Sequence, residues 1–505
     1  MPTSLPPGPR PLPVVGNALQ LPHDFLHRTL GQWAQSFGDL IFLRVFRQPT
    51  LVINSLQAAK ELLEVKGAKY SDRSPFHLMR IIGFDVAVPF LPYGEQWRRS
   101  RKWIQASFVD QAALVRWQPM QREVTTELLS RLAQTPEDFV VHIRHCISTL
   151  LLDSTYGRIR GDAVLQASEA ILQGFVESGS PAAALVDHFP CLQYIPSWMP
   201  FSVLKADIWA LRPTMRRLTD ELFQKAKAMM EEENESDSFI ASLLQQRSSI
   251  SSLGSDQMEE EEEIKSVAIT LYLGMRKTEI VLKTFILAMT IHQDVYAKAQ
   301  ETIDEVVGNT RLPELSDRQS LPYVDAILKE VYRINVPLPI SLPRRLNEDD
   351  QFRDFHIPKG TWAISNLWQV HAILLVEQMG NDANYYSDAD AFRPERFIDP
   401  ATGLSTGLDP KDYIFSFGRR ACPGQRFADD SLWLVIASII ATFDIKRTVD
   451  DNGREVTPPM AFSPGLTSHP REFTCLMRPR SQHALDLIMD LGSSGSALRT
   501  AAECG

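Results

Sequence analysis

The chain has 505 residues, of which 44% are hydrophobic and 23% are charged, so it can bury a large core and wholesale disorder is disfavoured. Lys and Arg number 52 against 62 Asp and Glu, and the net charge of −10 argues against nucleic acid as the main partner. The five cysteines are odd in number and far apart, which fits a reducing compartment better than a disulfide framework.

Residues 1–22 are rich in proline, and we expect an extended hinge there rather than an apolar targeting or anchor segment. The chain is then soluble or peripherally bound to a membrane, unless its gene model begins too late. Residues 23–480 show no linker that separates two cores, so we predict one domain followed by a tail over residues 481–505.

In chain order, residues 23–37 have helical spacing, and residues 40–52 are β-rich with a turn near Gln48 and Pro49. Further helices are predicted over residues 112–132, 140–156, 164–177, 208–231, 264–291 and 295–307. Residues 234–264 are Ser-rich with an acidic run at 259–263, which predicts a solvated loop without a function. These elements predict a mainly α fold with a minor β-sheet.

A helix is also predicted around LPYVDAILKEVYRI, with Ser320 as its cap and Pro322 in its first turn. Glu330 and Arg333 are three residues apart on it, so their side chains share one face and can pair. The apolar run over residues 431–443 lies between Asp430 and Asp444 and is too short to cross a bilayer. We interpret this run as a buried helix.

The segment FSFGRRACPG, residues 415–424, places Cys422 just before that helix, which we expect to begin around Pro423. Unpaired N–H groups and the helix dipole favour a thiolate at this position. Gly418 and Gly424 allow a sharp turn and close approach to a flat ligand, and Arg420 can reach an anionic group at its edge. The loop therefore predicts a single thiolate presented to a metal.

The pattern F-x-x-G-x-R-x-C-x-G, formed by Phe415, Gly418, Arg420, Cys422 and Gly424, resembles the haem-binding loop of the cytochromes P450. The resemblance extends from about residue 6 to about residue 479, and it implies a cytochrome P450 fold holding one haem b, with Cys422 as the iron ligand. It also implies a monooxygenase that inserts one oxygen atom from O2 into an apolar organic substrate, either a secondary metabolite or a xenobiotic. The other oxygen atom is reduced to water.

The same resemblance implies that the electrons come from NADPH through a partner reductase. The protein would act as a monomer at the cytoplasmic face of the endoplasmic reticulum, although this chain shows no transmembrane segment. Five basic residues could steer an acidic reductase toward the cysteine side of the haem, and ordinary surface charge explains them equally well. They are Arg98, Arg99, Lys102, Arg419 and Arg426.

Further site residues follow from the resemblance alone. Trp97 and Arg101 match a W-x-x-x-R helix that binds one haem propionate, Arg344 stands where the other propionate is bound, and Arg420 is a further partner. Glu330, Arg333 and Arg396 would form a buried charge network that holds the cysteine loop. Substrate contacts are implied for residues 77–88, 174–186 and 465–468.

The sequence departs from the family pattern on the helix that should cross the oxygen side of the haem. It has Gly274, Met275, Arg276, Lys277 and Thr278 where the family has a small residue, Gly, any residue, an acid and Thr. The acid is missing, Lys277 is a cation where an anion is expected, and Thr278 is the best candidate for a proton relay. This departure leaves open a peroxide-driven or non-redox haem-thiolate enzyme, or an inactive haem-binding relative.

A second departure is an apparent apolar insert over residues 372–380. Retained intron sequence and a membrane-contacting loop both explain it.

Overall fold

A computed structural model describes residues 4–22, 24–159, 181–194, 203–233, 237–248, 255–274, 276–368, 391–403 and 409–491. The predicted mainly α fold with a minor sheet is confirmed. The helices are Leu26–Phe37, Leu56–Lys60, His77–Ile82, Glu95–Phe108, Gln111–Gln134, Phe139–Tyr156, Pro181–His188, Val203–Glu233, Phe239–Ser248, Ser255–Gly274, Arg276–Ile291, Gln293–Val306, Pro322–Ile334, Lys411–Ile414 and Gln425–Thr442. The helix predicted over residues 164–177 lies outside the described residues.

Short helical turns connect several of these helices. The 3₁₀ turns are Ala18–Gln20, Pro136–Asp138, Pro190–Tyr194, Leu315–Ser320, Pro394–Phe397 and Gly418–Arg420, and a π-helical turn covers Glu61–Val65.

The main sheet has four strands in the order Leu40–Val45, Gln48–Ile53, Trp362–Ser365 and Arg344–Arg345. Its first two strands are antiparallel and Val45 pairs with Gln48, so the turn falls at Phe46 and Arg47 rather than near Gln48 and Pro49 as predicted. Phe46 takes the left-handed φ of 53° that this tight turn requires. The middle pair is parallel and the last pair is antiparallel.

Three two-stranded ribbons complete the β-structure. They pair Asp350–Phe352 with Phe355–Ile357, Phe443–Lys446 with Leu476–Pro479, and Thr448–Val449 with Glu455–Val456.

The predicted loop over residues 234–264 is wrong, because the acidic run lies within the helix Ser255–Gly274. Glu263 forms an ion pair with Arg99, and Glu261 pairs with Lys227 at 2.8 Å. Glutamate is a good helix former, and cations on neighbouring helices pair with these two members of the run once the chain is folded. The prediction treated the charges as solvated because these partners are distant in sequence.

Two helix starts also differ from prediction. Ser320 ends a 3₁₀ turn, so Leu321 is the cap of Pro322–Ile334. The helix behind the cysteine loop begins at Gln425 with Gly424 as its cap, rather than around Pro423.

The helix Gln425–Thr442 forms the centre of the largest core, with Trp433, Ile436 and Ile440 fully buried. It packs against the long helices Gln111–Gln134 and Arg276–Ile291. The cysteine loop is therefore connected directly to the largest core. Within the described part of the chain, no helix combines the length and apolarity needed to cross a membrane.

Candidate functional site

The cysteine loop is held by hydrogen bonds to its backbone next to the thiol. The Cys422 amide donates to the Phe415 carbonyl at 2.8 Å, and Arg101 donates to the Ala421 carbonyl at 2.7 Å. The Cys422 side chain itself is exposed. The fold therefore fixes the backbone of the loop and leaves the sulfur accessible to a ligand.

Gly418 is required by the packing of the loop. Its φ is 53°, and a Cβ there would lie 2.2 Å from the Leu63 carbonyl oxygen of the neighbouring π-helical turn. A Cβ on Gly424 would meet no described atom within 4 Å. The sequence predicted close approach at both glycines, and the structure places described protein atoms against Gly418 alone.

Three buried arginines converge behind this loop. Arg344 donates to the Phe417 carbonyl at 2.7 Å and to the Ser416 hydroxyl at 3.0 Å. Arg420 donates to the carbonyls of Ser71 and Leu91, each at 2.8 Å. The third is Arg73, whose Nε donates to the Pro89 carbonyl at 2.9 Å and whose Nη1 donates to the Leu342 carbonyl at 2.7 Å. Most of these partners are neutral carbonyls, which do not cancel the positive charge.

The pKa values of the three arginines show the effect of this crowding. Burial lowers the pKa of Arg344 to about 9, and the charge of Arg420 lowers it further. Burial likewise lowers the pKa of Arg420 to about 10, although Asp72 opposes the shift. Burial, followed by the charges of Arg420 and Arg344, lowers the pKa of Arg73 well below its usual value. An anion bound here would reverse all three shifts.

Arg344 also has an unused donor. Its Nη1 atom is buried and has no hydrogen-bond partner among the described residues. A buried donor without a partner costs about 1–3 kcal/mol, so this atom favours a bound acceptor.

Trp97 and Arg101 lie on one face of the helix Glu95–Phe108, next to the loop. The guanidinium carbon of Arg420 is 4.6 Å from the centre of the Trp97 ring, and that of Arg101 is 5.8 Å from it. Burial lowers the pKa of Arg101, and the negative charge of Cys422 opposes this shift, so Arg101 is near the sulfur. Trp97, Arg101, Arg420 and Cys422 are thus brought together.

This arrangement fits an iron porphyrin. The accessible Cys422 sulfur would provide a ligand for the iron. Arg101, Arg344, Arg420 and the Trp97 indole would provide donors for two propionate carboxylates, and the unused Arg344 donor favours such an acceptor. Sequence reasoning missed Arg73 because a lone arginine in SDRSP is indistinguishable from a surface charge.

A second charged cluster lies behind the loop. Fully buried Glu330 accepts hydrogen bonds from Arg333 at 2.6 Å and 2.9 Å, from Arg396 at 3.1 Å and from the Arg393 amide at 2.6 Å. Arg333 and Arg396 both donate to the Ala391 carbonyl. The cluster connects the helix Pro322–Ile334 to the turn Pro394–Phe397. On the same helix, the Tyr332 ring lies 6.0 Å from the Phe415 ring of the cysteine loop.

The family model of Cytochrome P450 matches residues 6–477 of this chain. The chain belongs to the cytochrome P450 family. It is 38% identical to Cytochrome P450 monooxygenase 136 of Postia placenta, covering 96% of this chain and 91% of that protein. It is 37% identical to Cytochrome P450 monooxygenase 176 of the same fungus, covering 98% and 94%. It is 36% identical to Cytochrome P450 monooxygenase claR of Ampulloclitocybe clavipes, covering 97% and 89%.

These relatives are monooxygenases, and this cytochrome P450 is an oxidoreductase of the same kind. Membership of the family also implies haem, in agreement with the residues around Cys422.

The residues around Thr278 on the oxygen-side helix of this cytochrome P450 differ in their burial. Thr278 is buried and lines a small internal cavity with Gln121, Cys146 and Ser431. Those residues belong to three helices of the core, so the structure directs Thr278 toward the protein interior. A proton relay through Thr278 stays a prediction.

Lys277 and Glu279 flank Thr278. Glu279 is buried and lies 3.6 Å from Arg144 and 3.7 Å from Lys283, so this acid is engaged within the core. Lys277 has an accessible side chain, yet burial lowers its pKa, while the charge of Cys422 opposes the shift. Lys277 is therefore within electrostatic range of the Cys422 sulfur.

The predicted substrate segments are only partly described. The Val88 amide donates to the Thr270 hydroxyl at 3.0 Å, so residues 77–88 border the oxygen-side helix. Residues 465–468 lie at the end of the helix Pro322–Ile334, where Asn335 donates to the Ser468 carbonyl at 2.9 Å. Residues 174–180, and the apparent insert over residues 372–380, lie outside the described residues.

Three of the five basic residues predicted to steer a reductase have contacts within the protein. Arg99 is neutralised by Glu263, with Nε to Oε2 at 2.7 Å. Arg419 donates to the Tyr93 hydroxyl at 2.7 Å, and the Arg98 guanidinium lies 5.2 Å from the same ring. Reductase docking on this face stays a prediction.

Proposed function

We propose that this cytochrome P450 inserts one oxygen atom of O2 into an apolar organic substrate, a compound of fungal secondary metabolism or a xenobiotic. NADPH supplies the electrons through a partner reductase. The observation that carries the proposal is the accessible Cys422 sulfur beside three buried arginines. Burial lowers the pKa values of these arginines, so a bound anion would stabilise their charged forms.

The residues of the chain have separate parts in this function. Cys422 holds the iron, and a thiolate-bound haem supplies the chemistry that cleaves the O–O bond. Arg101, Arg344, Arg420 and Trp97 bind the propionates and so fix the orientation of the ring. Glu330 and its two arginines hold the loop that carries the sulfur.

An apolar substrate is supported by the segment nearest to the oxygen-side helix. Residues 77–88 read HLMRIIGFDVAV, and most of these side chains are apolar. A site of this composition favours an apolar skeleton and excludes water from the reacting atoms.

Attachment to the endoplasmic reticulum and a monomeric state complete the proposal. Exposed apolar side chains on the N-terminal segment, among them Leu12, Val14 and Leu19, support peripheral contact with a membrane.

The test begins with the spectrum of the purified, haem-loaded chain. After reduction and addition of carbon monoxide, we expect the absorption band of a thiolate-bound haem, and we expect its loss in Cys422→Ala. Cys191→Ala is a matched control, because Cys191 is exposed and outside the site. An unchanged spectrum in Cys422→Ala would refute the proposed iron ligand.

A second function is favoured by the residue before Thr278, where the family has an acid and this chain has Lys277. The acid after Thr278, Glu279, is buried and does not replace it. The chain would then use peroxide in place of O2 and NADPH. Incubation with NADPH and a reductase is compared with peroxide alone across a panel of apolar compounds. Product from the first mixture supports the monooxygenase, product from peroxide alone supports the second function, and no product from either indicates an inactive haem-binding relative.

A further inference from the structure

One buried carboxylate connects the two segments that flank the cysteine loop. Asp429 lies in the helix Gln425–Thr442, which follows the loop, and it is 6% exposed. Its Oδ2 atom accepts a hydrogen bond at 3.3 Å from Lys411, whose helix Lys411–Ile414 ends directly before the loop. The contact between these two side chains therefore fixes the distance between the helix that precedes the loop and the helix that follows it.

The same carboxylate is also connected to the loop itself. Its Oδ1 atom accepts a hydrogen bond at 3.1 Å from the hydroxyl of Tyr332, which is 1% exposed. The Tyr332 ring meets the Phe415 ring edge to face, with the ring centres 6.0 Å apart. The Phe415 carbonyl accepts the hydrogen bond of the Cys422 amide. Asp429 thus reaches the residue that carries the sulfur through one hydroxyl, one pair of rings and one backbone hydrogen bond.

The groups around Asp429 need a carboxylate at this position. Burial raises the pKa of Tyr332 well above its usual value, and the charge of Asp429 raises it further, so the hydroxyl stays protonated and donates. Arg318 donates to the Oδ2 atom at 2.7 Å and shares the negative charge with Lys411. An amide here would turn an N–H₂ donor either toward these two cations or toward the Tyr332 hydroxyl. In both cases the cations would lose the charge that they share.

We propose that Asp429 is a positioning residue for Cys422, the iron ligand of the proposed function. Its carboxylate holds the two flanking helices and the Tyr332 hydroxyl together, so that the sulfur is presented to the iron at one fixed distance. The Glu330 cluster has a different place, because it connects the helix Pro322–Ile334 to the turn that contains Arg396. The inference rests on the proposed function, since a bond between Cys422 and iron is what Asp429 would support.

The test follows the thiolate band of the reduced, carbon monoxide-bound chain in urea too dilute to unfold the helices, as judged by circular dichroism. Asp429→Asn should lose this band about 10-fold faster than the wild-type chain, as for the loss of one hydrogen bond to a charged group. Tyr332→Phe, which removes the hydroxyl and keeps the ring against Phe415, should also lose the band faster than the wild-type chain. A purely structural role would not move the band while the helices stay folded.

Asp430→Asn is the matched control, because Asp430 is the neighbouring acid and accepts a hydrogen bond from the same Arg318 at 3.0 Å. It has no hydrogen bond to Tyr332 or Lys411 in the part of the chain that the structure describes, so its rate should stay within about 2-fold of the wild-type rate.

The double variant Tyr332→Phe with Asp429→Asn tests the connection itself. It should lose the thiolate band no faster than Asp429→Asn, because both substitutions remove the same hydrogen bond. If Asp429→Asn does not fold, the rate of Tyr332→Phe decides alone, since that variant loses one hydroxyl and no charge.

Three results would overturn the inference. The first is a wild-type rate in Asp429→Asn, or in Tyr332→Phe where that variant decides alone. The second is loss of the band only in step with unfolding of the helices, and the third is a double variant whose effects add. A wild-type chain without any thiolate band would instead overturn the proposed function, and the inference with it.

Discussion

Substituting Glu330 by Gln tests the charge network that supports the cysteine loop. The carboxylate is fully buried and accepts hydrogen bonds from Arg333 through both oxygens and from Arg396 through one. Gln keeps one acceptor oxygen but puts an N–H₂ donor against a guanidinium. It also removes the only negative charge within this set of residues.

The expected loss follows from the burial of the two arginines, which are 4% and 2% exposed. Removing one member of a buried ion-pair network strands the opposite charge and costs about 3–5 kcal/mol. An exposed ion pair would cost at most about 1 kcal/mol. The two cases are therefore separated by more than the error of a denaturation experiment.

The assay is urea denaturation of the haem-loaded chain, followed by circular dichroism, with the rate of haem release as a second measurement. Glu330→Gln should lower the free energy of unfolding by about 3–5 kcal/mol and accelerate haem release, because the loop loses its support. Glu305→Gln, an exposed substitution on the helix Gln293–Val306, should change it by less than about 0.5 kcal/mol. Equal behaviour of the two variants would show that the network does not hold the loop.

Three further predictions concern single positions. Gly418→Ala should abolish haem binding or lower the haem content strongly, since its Cβ would lie 2.2 Å from a backbone oxygen. Gly424→Ala, whose Cβ meets no described atom within 4 Å, should bind more haem. Equal haem content in the two variants would contradict the packing argument. Arg344→Gln should accelerate haem transfer to an acceptor protein about 10- to 100-fold. Arg345→Gln, on the opposite face of the same strand, should leave the transfer rate unchanged. Similar rates in the two variants would exclude binding of a propionate by Arg344. Burial lowers the pKa of His27 from 6.5 to about 4, so the unfolded chain binds its proton first, and stability is lost as pH falls from about 6.5 toward 4. After allowance for partial solvent screening the loss is about 2 kcal/mol, and His27→Phe should remove it from a pH series of melting temperatures; the same pH slope in both proteins would refute this.

Much of the fold could be predicted because the signals are local. Helical periodicity located Gln111–Gln134 and Phe139–Tyr156 to within a few residues, since both helices have an apolar face along most of their length. Helix geometry placed Glu330 and Arg333 on one face, and the structure places them in an ion pair. Cys422 was identifiable because ten residues contain a possible metal-binding thiol, two glycines that allow a turn and the predicted start of a helix.

The failures occurred where the answer depends on distant partners. The acidic run at residues 259–263 looks solvated until Arg99 and Lys227 approach from other helices. Neighbouring residues on a helix differ by about 100° in direction, so a small error in register decides which of Thr278 and Lys277 is buried. Only the packed structure resolved that choice.

The sequence by itself determined the thiolate loop, the E-x-x-R pair and the helical class, because each depends on residues that are close together along the chain. Tertiary structure alone decided that Arg73, Arg344 and Arg420 meet behind that loop, and that Glu279 is directed into the core while Lys277 is exposed. The physical reason is that burial and electrostatic fields arise from all neighbouring side chains, and most of these neighbours are remote along the chain.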